Sequence, residues 1–138
     1  MVDSAPSSRP SAPSSEEAAW PLALDALIAA PDHHTLLFEN AAVRVLDTRI
    51  PPGGRTPLHT HCWPSVLYVL SWSPFVRRDA GGQVTLDSRT LPQLADSPGA
   101  LWSPPLPAHS LENVGTTDIR VVSVEIKSLG DQRPSVRG

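Results

Sequence analysis

The chain has 138 residues, a formal net charge of −3 and one cysteine. This length fits one domain with a single core, and a lone cysteine cannot form an intramolecular disulfide, which favours a reducing cytoplasm. The 11 basic residues are scattered, which argues against nucleic acid and anionic membrane surfaces as partners. The apolar stretch near residues 22–30 is too short to span a bilayer. We therefore expect a cytoplasmic protein.

The two ends of the chain have a different composition from its centre. Residues 1–15 are almost wholly Ser, Ala and Pro, and we predict a disordered tail there, because they offer too little apolar surface to offset chain entropy. Residues 16–35 are expected to hold a linker and a short helix, at about 21–30, that ends at Pro31. Residues 129–138 are polar and are expected to form a loose tail.

The centre of the chain alternates between short apolar runs and turns rich in proline and glycine. This pattern predicts about eight short strands at spacings of roughly ten residues, which is typical of an all-β sandwich or barrel. The clearest strands are expected at 43–50, 65–73 and 119–127. The 16 prolines also argue against long helices.

Two histidines follow the Pro-Pro-Gly-Gly turn at 51–54. On a strand, His59 and His61 face the same side and can share a small cation. His109, behind the proline-rich stretch 104–107, is a third imidazole that an antiparallel barrel can bring beside them. Three imidazoles suit Fe(II), Ni(II), Cu(II) or Zn(II) and leave coordination positions open. Histidines at a strand end can also be exposed or merely hydrogen-bonded, so the spacing alone does not decide.

These histidines fall within a resemblance to the cupins. The stretch from Gly53 resembles the first cupin motif, in which a glycine is followed after five residues by HXH. SPPLPAHSLEN resembles the second motif, with Pro104, His109 and Asn113 in place. The resemblance implies an all-β cupin domain at 36–128, a double-stranded β-helix or jelly-roll barrel with a short N-terminal helix. It also implies a homodimer, since small cupins commonly pair through edge strands.

The chain departs from the cupin motifs at three places. The glutamate of the first motif should stand at 65 or 66, where this chain has Ser65 and Val66, and two motif glycines are replaced by Trp72 and Leu106. Loss of the glutamate leaves a three-histidine site, which resembles that of cysteine, gentisate and diketone-cleaving dioxygenases. The same loss fits a substitute ligand or a cupin that binds no metal.

The resemblance implies a divalent metal ion at His59, His61 and His109, with Fe(II) favoured and Zn, Ni or Mn as alternatives. Three neutral ligands leave the +2 charge uncompensated, which favours a small anionic organic substrate. The function expected first is that of a non-haem Fe(II) dioxygenase. The alternatives are a non-redox metal cupin acting as an isomerase, lyase or hydrolase, and a cupin that binds a small ligand without catalysis.

Three further residues are candidates for the chemistry. Tyr68 could present its hydroxyl to a substrate, although packing in the barrel wall is the simpler interpretation. Arg49, like Arg44 on the same strand, could hold an anion, although most strand arginines are solvated. Glu125 is the candidate substitute carboxylate, because it stands in an otherwise apolar strand and would need a partner if it faced inward.

Several other side chains near the motifs are most simply interpreted as structural. His33 and His34 precede the first strand and are expected in a loop or cap. Cys62 is expected to be a small buried hydrophobe, because it points away from its neighbour His61. The tryptophans at 63, 72 and 102 fit either pocket lining or the core.

Overall fold

The computed structural model describes residues 20–127, so the tails predicted at 1–15 and 129–138 lie outside the described residues. Nine strands within this range form two sheets, against the eight or so predicted from the sequence. Their bounds are β1 His34–Glu39, β2 Val43–Ile50, β3 His59–His61, β4 Ser65–Ser71, β5 Phe75–Asp79, β6 Val84–Asp87, β7 Ala100–Ser103, β8 Leu106–Asn113 and β9 Ile119–Ile126.

The two sheets are antiparallel and together form the expected all-β jelly roll. One sheet has the order β1-β2-β9-β4-β7 and the other the order β3-β8-β5-β6. Side chains alternate across the sheets: along β4, Ser65 and Val69 are buried, while Val66, Tyr68 and Leu70 are exposed. This alternation fixes which residues of each strand can reach the interior.

The predicted N-terminal helix is present but interrupted. A 3-10 turn at Leu22–Leu24 is followed by the single-turn helix α1 at Ala26–Ala29. Asp25 separates the two because its backbone is extended, with ψ at 143°, and its carboxylate accepts a hydrogen bond from the Leu27 amide as an N-cap. Among residues 20–127 there is no helix with the length and apolar character needed to cross a bilayer.

A network around Asn113 joins the two segments that carry the histidines. The Gly53 amide donates to the Asn113 carbonyl and the Asn113 amide donates to the Gly54 carbonyl, at 3.0 and 2.9 Å. Gly53 has a φ of +77°, which a glycine adopts without strain. The fully buried Asn113 side chain donates to the carbonyls of Ile50 and Thr117. These bonds set the turn before β3 against the end of β8.

Candidate metal centre

Four imidazoles lie together at the closure of the barrel. His59 and His61 project from β3, and His109 on β8 is the register partner of His59. The ring centroids of His59 and His109 are 4.4 Å apart, and those of His59 and His61 are 5.1 Å apart. The structure therefore brings together the three histidines that the sequence singled out. Their role as metal ligands stays a prediction.

The fourth imidazole is His34, which was expected in a loop or cap. It instead begins β1, is only 4% exposed, and lies 4.7 and 5.3 Å from the rings of His59 and His61. One ring nitrogen from each of His34, His59 and His61 lies within 4.8 Å of the other two. The N-terminal segment determines this position, because the carbonyl of Ala30, the C-cap residue of α1, lies 3.0 Å from Nδ1 of the His34 ring.

All four rings engage their Nδ1 atom in the same way. Backbone carbonyls lie 2.8–3.0 Å from Nδ1 in three of them: that of Ala30 for His34, Pro57 for His59 and Pro107 for His109. In His61 the partner is a carboxylate oxygen of Glu125, at 2.9 Å. These acceptors fix the proton on Nδ1 and leave the lone pair on Nε2, which is the arrangement found in metal-binding histidines.

The environment of these rings favours their neutral form. Burial, followed by the neighbouring imidazoles, lowers the pKa of His34 to about 3 and that of His109 to about 2. Burial and the nearby His61 lower the pKa of His59 to about 4. At neutral pH these three rings are therefore neutral, as metal ligation requires.

The metal-free protein should lose stability as the pH falls below 6.5. In the unfolded chain these imidazoles take up protons near pH 6.5, whereas the folded state resists protonation until about pH 4 or below. The unfolded state then binds more protons, so the free energy of unfolding drops by up to about 1.4 kcal/mol per pH unit for each ring. Denaturant unfolding at a series of pH values between 7 and 5 measures this slope.

The variant His109→Gln provides the control for that slope. It removes one of the buried rings, so its stability should depend less steeply on pH than that of the unaltered chain. A slope that stays the same in the variant would contradict the assignment of the pH dependence to these rings.

Glu125 connects the histidines to a buried ion-pair chain. It is 0% exposed and accepts hydrogen bonds from His61 and from Nε of Arg44, which also binds the Asp25 carboxylate through two nitrogens at 2.9 and 3.0 Å. Burial opposes ionisation of Glu125, but these bonds outweigh it and lower its pKa. Glu125 is also the register partner of Ser65, so a carboxylate stands directly across from the position where the cupin motif has one.

Two of the three candidate catalytic residues lie away from the histidines. Tyr68 is 58% exposed on the outer face of β4, because it alternates with the inward-facing Ser65 and Leu67. Arg49 is exposed on β2, next to the buried Ile50. Neither side chain lines the interior cavity of this chain. Glu125 alone of the three contacts a histidine of the cluster.

A cavity of about 330 Å³ opens beside the imidazoles. Its walls are mainly apolar, and Trp72 and Trp102 contribute to them, whereas the buried Trp63 and Cys62 do not. Pro104 and Leu106 from the proline-rich stretch also line it. Ser65 faces the cavity at the motif position of the missing glutamate. The site thus combines nitrogen donors with a small cavity whose walls are mainly apolar.

Solved structures with the same fold are cupins. A cupin domain from Bordetella pertussis Tohama I is 27% identical with a TM-score of 0.54, covering 68% of this chain and 91% of that one. An RmlC-like cupin with a double-stranded β-helix from Methanocaldococcus jannaschii is 11% identical with a TM-score of 0.50, covering 67% and 77%. The chain is therefore a cupin by fold. The sequence matches no protein-family model and no curated protein.

Proposed function

We propose that this cupin is a metal-dependent enzyme, a non-haem Fe(II) dioxygenase acting on a small anionic organic substrate in the cytoplasm. The metal would be held by His59, His61 and His109, with His34 as a fourth ligand. The observation that carries the proposal is that each of the four rings has a hydrogen-bond acceptor at its Nδ1 atom. Metal binding requires Nε2 lone pairs that are free of other hydrogen bonds, and these contacts at Nδ1 leave four of them. A purely structural histidine cluster does not require this arrangement.

The residues of the site have separable roles in this proposal. A bound Fe(II) supplies the redox chemistry toward O2. Glu125 orients the His61 ring and holds its proton on Nδ1, which leaves the Nε2 lone pair available to a metal. Neutral imidazoles leave the charge of the site positive, so an anionic group of the substrate is attracted to it. The apolar cavity walls exclude water and hold the body of the substrate beside the rings.

Metal analysis of protein purified without an affinity metal column tests the proposal. We expect stoichiometric iron and oxygen consumption when small organic acids are supplied under air. Zinc or manganese without oxygen consumption would instead favour a non-redox metal cupin. Protein that takes up none of these metals, and gains no thermal stability from them, would overturn the metal-dependent function and leave the ligand-binding alternative.

We also propose that the chain is a homodimer joined through β1. This strand is an edge of its sheet and exposes three consecutive apolar side chains, Leu36, Leu37 and Phe38, at 44%, 53% and 54%. An exposed apolar edge strand is a template for pairing with another chain. Light scattering should give twice the chain mass for the unaltered protein and the monomer mass for Leu37→Lys. A monomeric unaltered protein would contradict the dimer.

A further inference from the structure

An arginine without a partner faces the cavity. Arg77 lies on β5 and lines the chamber beside the histidines. Its Nε atom is buried and has no hydrogen-bond partner, and within residues 20–127 its guanidinium forms no ion pair. Its register partners on the flanking strands, Leu86 and Leu111, are apolar. Burial lowers the pKa of Arg77.

Arg49 on β2 is exposed to solvent, but the other arginines on the described strands are paired. Arg78, the next residue on β5, binds Glu112 at 2.8 Å on the opposite face of the sheet. Arg44 binds Asp25 and Glu125, and Arg120 binds Asp47. A guanidinium stays ionised even when buried, and an unpaired buried charge is costly. Arg77 is half-buried, with its Nε enclosed and without a hydrogen-bond partner, so this exception points to a counter-ion that comes from outside the described chain.

The cavity itself offers no such counter-ion. Among the described residues that line it there is no aspartate or glutamate. Ser123 Oγ, which also faces the cavity, is a second buried polar atom without a hydrogen-bond partner. Apart from the imidazoles and a few hydroxyl groups, the remaining walls are apolar and include Phe75, Leu94 and Val121. The chamber is thus suited to a molecule with one anionic group and an apolar body.

Strand register places Arg77 close to the imidazoles. Arg77 pairs with Leu111 on β8, and His109 lies two residues before Leu111 on the same face. Such diagonal neighbours have Cα atoms about 7–8 Å apart, a distance that an arginine side chain can bridge. A carboxylate held by the guanidinium would therefore lie next to the histidine cluster, with the rest of the molecule in the apolar part of the cavity.

We propose that Arg77 anchors the carboxylate of the substrate, and that the substrate is a small monocarboxylic acid with an aromatic or aliphatic body. This proposal rests on the proposed function only in locating the substrate in the same cavity. The planar guanidinium can bind a carboxylate through two parallel hydrogen bonds. A cavity of about 330 Å³ has room for roughly ten non-hydrogen atoms, if each takes about the volume of a water molecule.

Binding of matched acids and amides tests this assignment. Phenylacetate and hexanoate are compared with phenylacetamide and hexanamide, using calorimetry and the fluorescence of the cavity residues Trp72 and Trp102. The unaltered chain, both metal-loaded and metal-free, should bind each acid at least about tenfold more tightly than its amide. In the metal-free chain, Arg77→Gln should remove that preference, a loss of about 10–100-fold in affinity for the acids.

The neighbouring arginine supplies the matched control. Arg78→Gln removes the same charge from the same strand but on the outer face, so it should keep the full preference for acids. Equal binding of acid and amide by the metal-free unaltered chain, or an unchanged preference in Arg77→Gln, would overturn the proposal. So would a lack of binding of either acid.

The metal-free arm separates this proposal from the proposed function. One outcome is that the protein takes up no iron and consumes no oxygen but keeps an Arg77-dependent preference for acids. This outcome contradicts the dioxygenase function and supports Arg77 as the carboxylate-binding residue. The converse outcome is that the protein binds iron and consumes oxygen while its preference for acids does not depend on Arg77. This outcome contradicts the role of Arg77 and supports the dioxygenase function. Arg77→Gln must also retain its metal content, because a variant that loses metal would show that Arg77 supports the histidines instead.

Discussion

Replacing His59 by alanine should strip the protein of bound metal. This residue is the centre of the cluster, because its ring lies within about 5 Å of those of His34, His61 and His109. Its loss should lower metal affinity by more than the roughly 10–100-fold that removing a ligand's hydrogen-bonding partner costs. Metal content after exhaustive dialysis, measured by mass spectrometry, gives the result directly.

His33→Ala is the control for that experiment. His33 lies in the turn before β1, where its ring contacts the Arg49 carbonyl outside the cluster. This variant should therefore keep its metal. His34→Ala and His109→Ala test the two remaining ligands separately. Because the proposal assigns both rings to the metal, each variant should bind it more weakly than the unaltered chain. Stoichiometric metal in His59→Ala would contradict the centre altogether.

Replacing Glu125 by alanine should strongly destabilise the barrel. Glu125 is fully buried, and its removal leaves the Arg44 charge with only Asp25 and leaves Nδ1 of His61 without its acceptor. Breaking a buried ion pair from one side costs about 3–5 kcal/mol. Denaturant unfolding of the metal-free protein should show this loss.

The milder variant Glu125→Gln separates stability from metal binding. It preserves the volume but removes the charge that holds the proton of His61, so metal affinity should fall by about 10–100-fold. Glu112→Ala is the matched control, because its pair with Arg78 is partly exposed and should contribute only about 0–1 kcal/mol. A Glu125→Ala protein as stable as Glu112→Ala would contradict the structural role of the buried chain.

Local patterns predicted most of the fold. Alternation and turn residues located the strands: the run at 43–50 matches β2, and the run at 119–127 matches β9 to within one residue. Spacing also placed His59 and His61 on one face and suggested that His109 would come beside them. The helix at 21–30 was less well defined, because its apolar spacing says nothing of the cap that Asp25 forms in its middle.

The remainder of the site depends on contacts between distant segments. His34 joins the cluster because the edges of the two sheets meet where the barrel closes, and no local pattern encodes that meeting. Arg77 was not predicted from the sequence, although a signal was present. Arg77 stands two residues after Phe75 on the strand Phe75–Asp79, so the two side chains lie on the same face. The same alternation, counted from Ser65, would have placed Tyr68 on the outer surface.

The short segment before β1 supports the site at three points. Asp25 holds Arg44, the Leu24 carbonyl accepts from the Thr60 hydroxyl, and the Ala30 carbonyl holds the His34 ring. In the proposed function, the docking of this segment and metal binding by the imidazoles are therefore thermodynamically linked, and the link acts in both directions. A metal ion bound by the rings would stabilise the contacts between this segment and the barrel. A molecule that displaced the segment would lower the affinity for the ion.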